Sequence, residues 1–249
     1  QDRLYLTTGK GDFIYADSSL PNTAAAGSCV VANDYDHDGD PDLFIGGRVV
    51  PGSYPLAPRS YLLRNDFNKL TGKVKYTDVT KELSPALQNI GMVTSAIWSD
   101  YDNDNWADLV IVGEFMPVTF IKNKGGKNFE KPLQLPNSSG WWNSITAGDY
   151  DEDGDIDYAA GNLGLNSRHK ASAEQPLCIY AKDFDKNGRI DPVMCYYVQG
   201  ENYIYPSRDE MIKQINAFRG RFQTYESFAK ATFAASFTKE ELQDAMVVK

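Results

Sequence analysis

The chain has only two histidines and three cysteines among its 249 residues. So few of either leave no His/Cys zinc spacing and no disulfide scaffold. No G-x-S-x-G elbow, P-loop or Rossmann glycine pattern is present, which removes the common nucleophile and nucleotide signatures. No window nears the roughly 18 uninterrupted apolar residues of a transmembrane helix. No basic stripe exists to neutralise phosphates, so nucleic acid is not an expected partner. The opening residues, QDRLYLTT, lack a basic n-region and an apolar h-region. That fits a mature or trimmed product and leaves secretion open.

What the chain does have is acid at fixed spacing. Its formal charge is −9, with 42% hydrophobic and 12% aromatic residues, enough for a packed core. One segment occurs four times: DYDHDGDPDL at Asp34–Leu43, DYDNDNWADL at Asp100–Leu109, DYDEDGDIDY at Asp149–Tyr158 and DFDKNGRIDP at Asp183–Pro192. These loops hold 18 of the 34 acidic residues, so the acidity is explained by metal rather than by a basic partner. Four bound Ca²⁺ would leave a charge of about −1.

Ca²⁺ takes hard oxygen donors, and Asp is the shortest carboxylate, so alternate Asp residues in a tight turn can converge on one ion. Positions 1, 3, 5 and 9 are candidate side-chain ligands: Asp34, Asp36, Asp38 and Asp42; Asp100, Asp102, Asp104 and Asp108; Asp149, Asp151, Asp153 and Asp157; Asp183, Asp185, Asn187 and Asp191. Position 7 is a candidate backbone-carbonyl ligand, from Asp40, Trp106, Asp155 and Arg189. Position 6 is Gly39, Asn105, Gly154 or Gly188, suiting a turn that needs positive φ. The fourth loop has Asn187 for a carboxylate and Arg189 nearby, so weaker binding or vacancy is expected there.

The opening is shared with EF-hands, which require a Glu at position 12. Here that position is Ile45, Ile111, Ala160 and Met194, and the EF-hand is excluded four times. Thrombospondin-type calcium repeats, Cys-rich and closely spaced, do not fit either. The flanks LFIGG, LVIVG and YAAG suit short buried strands rather than helices.

Loop starts at 34, 100, 149 and 183 are unevenly spaced, as in blades with variable outer strands. Between the loops, Arg3–Asp17, Ser60–Thr80 and Val118–Pro132 each read as strand, Gly/Asn/Lys turn, strand. One acidic hairpin and one outer hairpin make four strands, the size of a propeller blade. Arg48–Ser60 reads as an exposed loop with three prolines. Gly161–Pro176, rich in Gly and Asn, replaces the outer strands of the third unit. Capping boxes at Ser207/Glu210 and Thr238/Glu241 predict two or three short helices over Ser207–Lys249. The domain reading is therefore 1–206 for the blades and 207–249 for a helical segment packed on the last of them. Cys178 and Cys195 flank the fourth loop; buried free thiols are the expected state, a disulfide the alternative. Cys29 reads as core.

The loops resemble the integrin-α-type FG-GAP repeats and the related bacterial VCBS repeats. GGRVVPGSYP, GNLGLNSRHKAS and LCIYAKDFDKNGRIDP further resemble the bacterial ASPIC/UnbV and cartilage-acidic-protein-like family. The resemblance implies a mainly β fold, a partial β-propeller of about four blades with a short helical C-terminal segment. It also implies up to four Ca²⁺, extracellular, cell-surface or periplasmic location, and a protein or carbohydrate ligand. Asn105 and Trp106 stand where the family pattern has glycine and the residue after it, altering the second turn. Four repeats are fewer than a closed ring carries, so a fragment of a longer chain is expected.

Enzymatic activity is not expected. His37 reads as solvent-exposed, and His169, beside Arg168 and Lys170, has no evident catalytic partner. Acids outside the loops (Glu114, Glu201, Asp209, Glu210) read as surface or capping residues. The alternative is an enzyme or accessory module acting on polysaccharide, with Trp98, Trp106, Trp141, Trp142 or Tyr196–Tyr197 stacking on sugar rings.

Overall fold

Every acidic loop is a hairpin tip. The structure, a computed structural model, describes residues 2–23, 26–164, 166, 167 and 169–249; Arg168 lies outside the described residues. The chain is mainly β, its strands pair antiparallel throughout the described residues, and it divides into two compact units. One unit comprises 1–49 and 57–162, the other 50–56 and 163–249.

In the first unit, β1 (Tyr5–Thr7) and β2 (Phe13–Tyr15) form a two-stranded hairpin. Next comes a four-stranded meander of β3 (Ala26–Asn33), β4 (Asp42–Val49), β5 (Tyr61–Asn65) and β6 (Tyr76–Asp78). After α1 (Thr80–Leu83) the pattern repeats in β7 (Met92–Ser99), β8 (Asp108–Met116), β9 (Thr119–Ile121) and β10 (Leu133–Gln134). The third acidic hairpin, β11 (Gly140–Gly148) with β12 (Asp157–Asn162), joins β8 through Gly140 and Trp141.

The apolar runs after the loops are continuous because both faces are covered. In β8, Leu109 and Ile111 enter one cluster with Phe44, Leu62, Val93 and Ile121. Val110 and Val112, pointing the other way, enter another with Val118 and Ile145. Strand alternation thus feeds two cores from one run. β4 does the same with Phe44 and Ile45. The segment 48–60, expected to be exposed, is so only in part: Arg48, Pro51, Gly52 and Ala57 are exposed, while Pro55, Pro58 and Ser60 are buried. Ser60 accounts for this, since its Oγ accepts from Gly47 N–H (3.0 Å) and its own N–H donates to Leu87 O (3.2 Å).

The second unit holds β13 (Cys178–Lys182), β14 (Asp191–Val198) and β15 (Glu201–Ile204). Five short helices follow: α2 (Arg208–Gln214), α3 (Phe218–Arg221), α4 (Tyr225–Lys230), α5 (Phe233–Ser236) and α6 (Lys239–Leu242). Two or three were expected. Thr224, Thr232 and Thr238 each accept a backbone N–H three residues on, and each cap starts a new helix. Met211, Ile215, Phe218, Phe222, Phe233 and Phe237 share one core with Cys178, Val193, Cys195 and Ile204 of the sheet. The last residues are not helical. β16 (Met246–Val248) pairs with the otherwise free edge of β13, protecting it from foreign strands.

Cys178 and Cys195 form a disulfide, which corrects the expectation of free thiols. They are direct cross-strand partners with Cα atoms 5.0 Å apart, within the range a disulfide spans. Closing this short loop is worth about 3 kcal/mol. Reduction, or Cys195→Ala, should lower the stability of the second unit by that amount. Urea melts with and without reductant, read on the two units separately, check this.

Candidate metal centres

The four loops repeat one backbone geometry. Residue 9 opens the returning strand and pairs with the residue preceding the loop: Asp42 with Asn33, Asp108 with Ser99, Asp157 with Gly148, Asp191 with Lys182. The first carboxylate then collects amides from across the turn. Asp34 accepts from Asp38 N–H (3.1 Å) and Gly39 N–H (3.0 Å), Asp100 from Asp104 (3.0 Å) and Asn105 (2.7 Å). Asp183 accepts from Asn187 (2.9 Å) and Gly188 (2.8 Å), and Asp149 from Gly154 (3.1 Å).

Aiming those amides inward requires two left-handed residues, not the one the sequence suggests. Position 6 has positive φ as expected, at Gly39, Asn105, Gly154 and Gly188. Position 4 has it too: His37 (φ 60°), Asn103 (56°), Glu152 (62°) and Lys186 (61°). For a non-glycine residue this costs roughly 1–2 kcal/mol, and nothing in the residue types of His37, Glu152 or Lys186 signals it.

The result is convergence. In each loop the carboxylates at positions 1, 3 and 9 have oxygens within 4.8 Å of one another: Asp34, Asp36, Asp42; Asp100, Asp102, Asp108; Asp149, Asp151, Asp157; Asp183, Asp185, Asp191. Position 5 is used differently. Asp38, Asp104, Asp153 and Asn187 accept the amide N–H of Asp40 (3.1 Å), Trp106 (3.0 Å), Asp155 (3.1 Å) and Arg189 (2.9 Å). These bonds brace the turn and engage one side-chain oxygen of the fifth residue and the N–H, not the carbonyl, of the seventh. Arg189, expected to disturb the fourth loop, makes no ion pair with it among the described residues.

These carboxylates are held where a negative charge is costly. Asp42 and Asp108 are fully buried, and burial pushes their pKa up to about 7 and about 6. Asp191 and Asp36 are also raised by burial. Asp155 is raised by the charge of Asp153. Three hard oxygen donors converging on one point are what a hard divalent cation would stabilise, so the residues fit such an ion.

A pH dependence follows with a definite sign. In the unfolded chain Asp titrates near ~3.9, below the values Asp42 and Asp108 have in the fold. Stability from these groups is present below that pH and is lost as pH rises through about 6 to 7. The metal-free protein should therefore melt at a lower temperature at pH 8 than at pH 5. Saturating Ca²⁺ should remove that loss, because a cation favours the charged form. Scanning calorimetry at both pH values, with and without Ca²⁺, reads it.

Neighbouring elements tie the first two loops together. Asn65 N–H donates to Asp42 Oδ1 and Asn123 N–H to Asp108 Oδ1, both at 2.7 Å. Asn123 Nδ2 also donates to Tyr35 O (2.8 Å) in the first loop. His37 is exposed as expected, yet its ring stacks on Trp106 of the second loop at 4.1 Å. Lys122 pairs with Asp102 and, at 2.9 Å, with Asp104, which holds Asp104 below the usual carboxylate range. Lys122 lies fourteen positions past the loop and is reached only through sheet register.

Most of the residues considered for polysaccharide chemistry have partners elsewhere. Glu114 is buried against Arg48 (2.6 Å), Glu210 caps Ser207, and Asp209 accepts from Tyr225 Oη (2.7 Å). Glu201 is exposed at the start of β15. Trp98 stacks on Tyr35, Trp141 packs on Phe115, and Trp142 Nε1 donates to Ser138 O (3.0 Å). Tyr196 packs edge-on against Tyr205, and Tyr197 is half-buried. His169 lies 4.7 Å from the Tyr205 ring.

Residues 100–160 match the family model described as FG-GAP-like repeat. The matched segment contains the second and third acidic loops together with β8–β11, and it supports FG-GAP repeat character for this part of the chain. A comparison with the curated proteins found no match. No helix among the described residues is long and apolar enough to cross a membrane.

Proposed function

We propose that the chain is a calcium-stabilised β-propeller segment of an exported bacterial protein, about four blades in extent, serving as a binding module for a protein or glycan partner. One observation carries this reading: the same three-carboxylate group stands at four hairpin tips. The FG-GAP-like match over 100–160 points the same way, since four-stranded meanders with acidic inner hairpins are the blades of that family. Ca²⁺ is the ion that suits oxygen-only donors in a flexible loop, and weak sites of this type fill at extracellular, millimolar concentrations. Its role here is structural: it neutralises converging carboxylates and fixes the hairpin tips. The resemblance of GGRVVPGSYP and GNLGLNSRHKAS to ASPIC/UnbV-type proteins supports membership of a longer exported chain.

A panel of glycans and peptides, tested for binding and for turnover in Ca²⁺, separates module from enzyme. Saturable binding without turnover is expected. Hydrolysis that disappears on mutating acids outside the loops would overturn the reading.

A further inference from the structure

The second loop differs from the other three in a way its own sequence hides. Resting on the calcium reading of the loops, the geometry points to Lys122 as a tethered cation that occupies the charge of the second site and competes with Ca²⁺ there.

The case rests on a comparison of the first two meanders. Leu43 pairs with Leu63 in one, and Leu109 with Ile121 in the other. The next residue, Arg64 or Lys122, therefore lies across from the ninth loop residue, Asp42 or Asp108. Asn65 and Asn123 follow and make identical 2.7 Å bonds to those carboxylates. Both meanders thus aim one cation toward the acidic loop. What comes after the asparagine decides where the cation goes.

In the first meander the next residue is Asp66, and Arg64 Nε donates to its Oδ1 at 2.9 Å. The ion pair of the arginine is thus with Asp66 and not with a loop carboxylate. In the second meander that position is Lys124, which is itself drawn to Glu130 (2.5 Å). Lys122 has no such acid beside it, and its ammonium pairs with Asp102 and Asp104. Asp102 belongs to the three-carboxylate group of that loop. The first loop presents five carboxylates and no paired lysine or arginine; the second presents four and holds Lys122. No comparable ion pair is made at the first, third or fourth loop among the described residues. Calcium affinity follows ligand charge, so the second loop takes Ca²⁺ only by displacing the ammonium and fills after the first.

The test is calorimetric titration of Ca²⁺ into the metal-free 249-residue chain, wild type and Lys122→Met. Methionine keeps the apolar stem and removes the charge, and Asp102 and Asp104 remain partly in solvent. Lys122→Met should bind one more equivalent than wild type, or bind one equivalent at least tenfold tighter. Unchanged stoichiometry and affinity would overturn the inference while leaving calcium binding by the other loops intact. No Ca²⁺ binding by wild type at any loop would sink the calcium reading; a site gained in Lys122→Met would still uphold the role of Lys122. Should Lys122→Met fail to fold by circular dichroism, Asp66→Asn carries the test in reverse. It frees Arg64 toward the first loop and should weaken one equivalent at least tenfold; wild-type binding in that variant overturns the inference.

Discussion

Asp42→Ala, in Ca²⁺, should lower the melting temperature of the first unit by roughly 10–35 °C, taking about 2–4 °C per kcal/mol for a unit of this size. Two causes add. Asp42 is fully buried and accepts Asn65 N–H at 2.7 Å and Tyr35 N–H at 3.3 Å. Alanine leaves both amides without a partner in a place water does not reach, at about 1–3 kcal/mol each. It also removes one of three converging carboxylates, and with it about 2.7 kcal/mol for a site held at a hundredfold its dissociation constant. Asp157→Ala is the matched comparison. Asp157 is only half-buried, and its amide partner, Tyr150 N–H at 2.9 Å, belongs to an exposed residue. Its loss should be about half as large, dominated by the metal. Differential scanning calorimetry of both variants ranks them; equal losses would mean that the amides at Asp42 contribute nothing.

Removing Ca²⁺ from the wild-type protein should be nearly as costly. Three loops lie in the first unit, and Lys122 neutralises one of them. Two ready sites at a hundredfold excess of Ca²⁺ contribute about 5 kcal/mol, each adding about 2.7. Excess EGTA at pH 7.5 should therefore lower the melting temperature of this unit by about 10–20 °C. The second unit has a single loop and a disulfide that does not depend on metal, so its shift should be smaller. Mg²⁺ should restore little, because it demands near-ideal octahedral geometry and gives up its water reluctantly.

The hairpin tips were legible because their determinants are local. Alternate Asp residues, a Gly or Asn at position 6 and apolar flanks specify the turn without reference to the rest of the chain. The failures share the opposite property. Lys122 enters the second loop through the register of β8 with β9 and the absence of an acid at Lys124. The Cys178–Cys195 bond depends on β13 and β14 pairing those residues directly. The left-handed backbone at His37, Glu152 and Lys186 is imposed by the amides that must reach the first carboxylate, against the preference of each residue. Helical spacing through Met246 suggested a helix to the end of the chain. Asp244 (φ 60°) instead turns the chain out of α6, and Val247 and Val248, β-branched, pair with β13. Tertiary pairing overrode a weak local preference there.

The central claim is that the convergent carboxylates are calcium ligands. The most direct measurement is calorimetric titration of Ca²⁺ into metal-free wild-type protein at pH 6.5, in two buffers of different ionisation enthalpy. Saturable binding of at least two equivalents is expected, with protons released on binding, because burial holds Asp42 and Asp108 near neutral pKa values and the ion must displace those protons. No saturable heat at millimolar Ca²⁺ would contradict it.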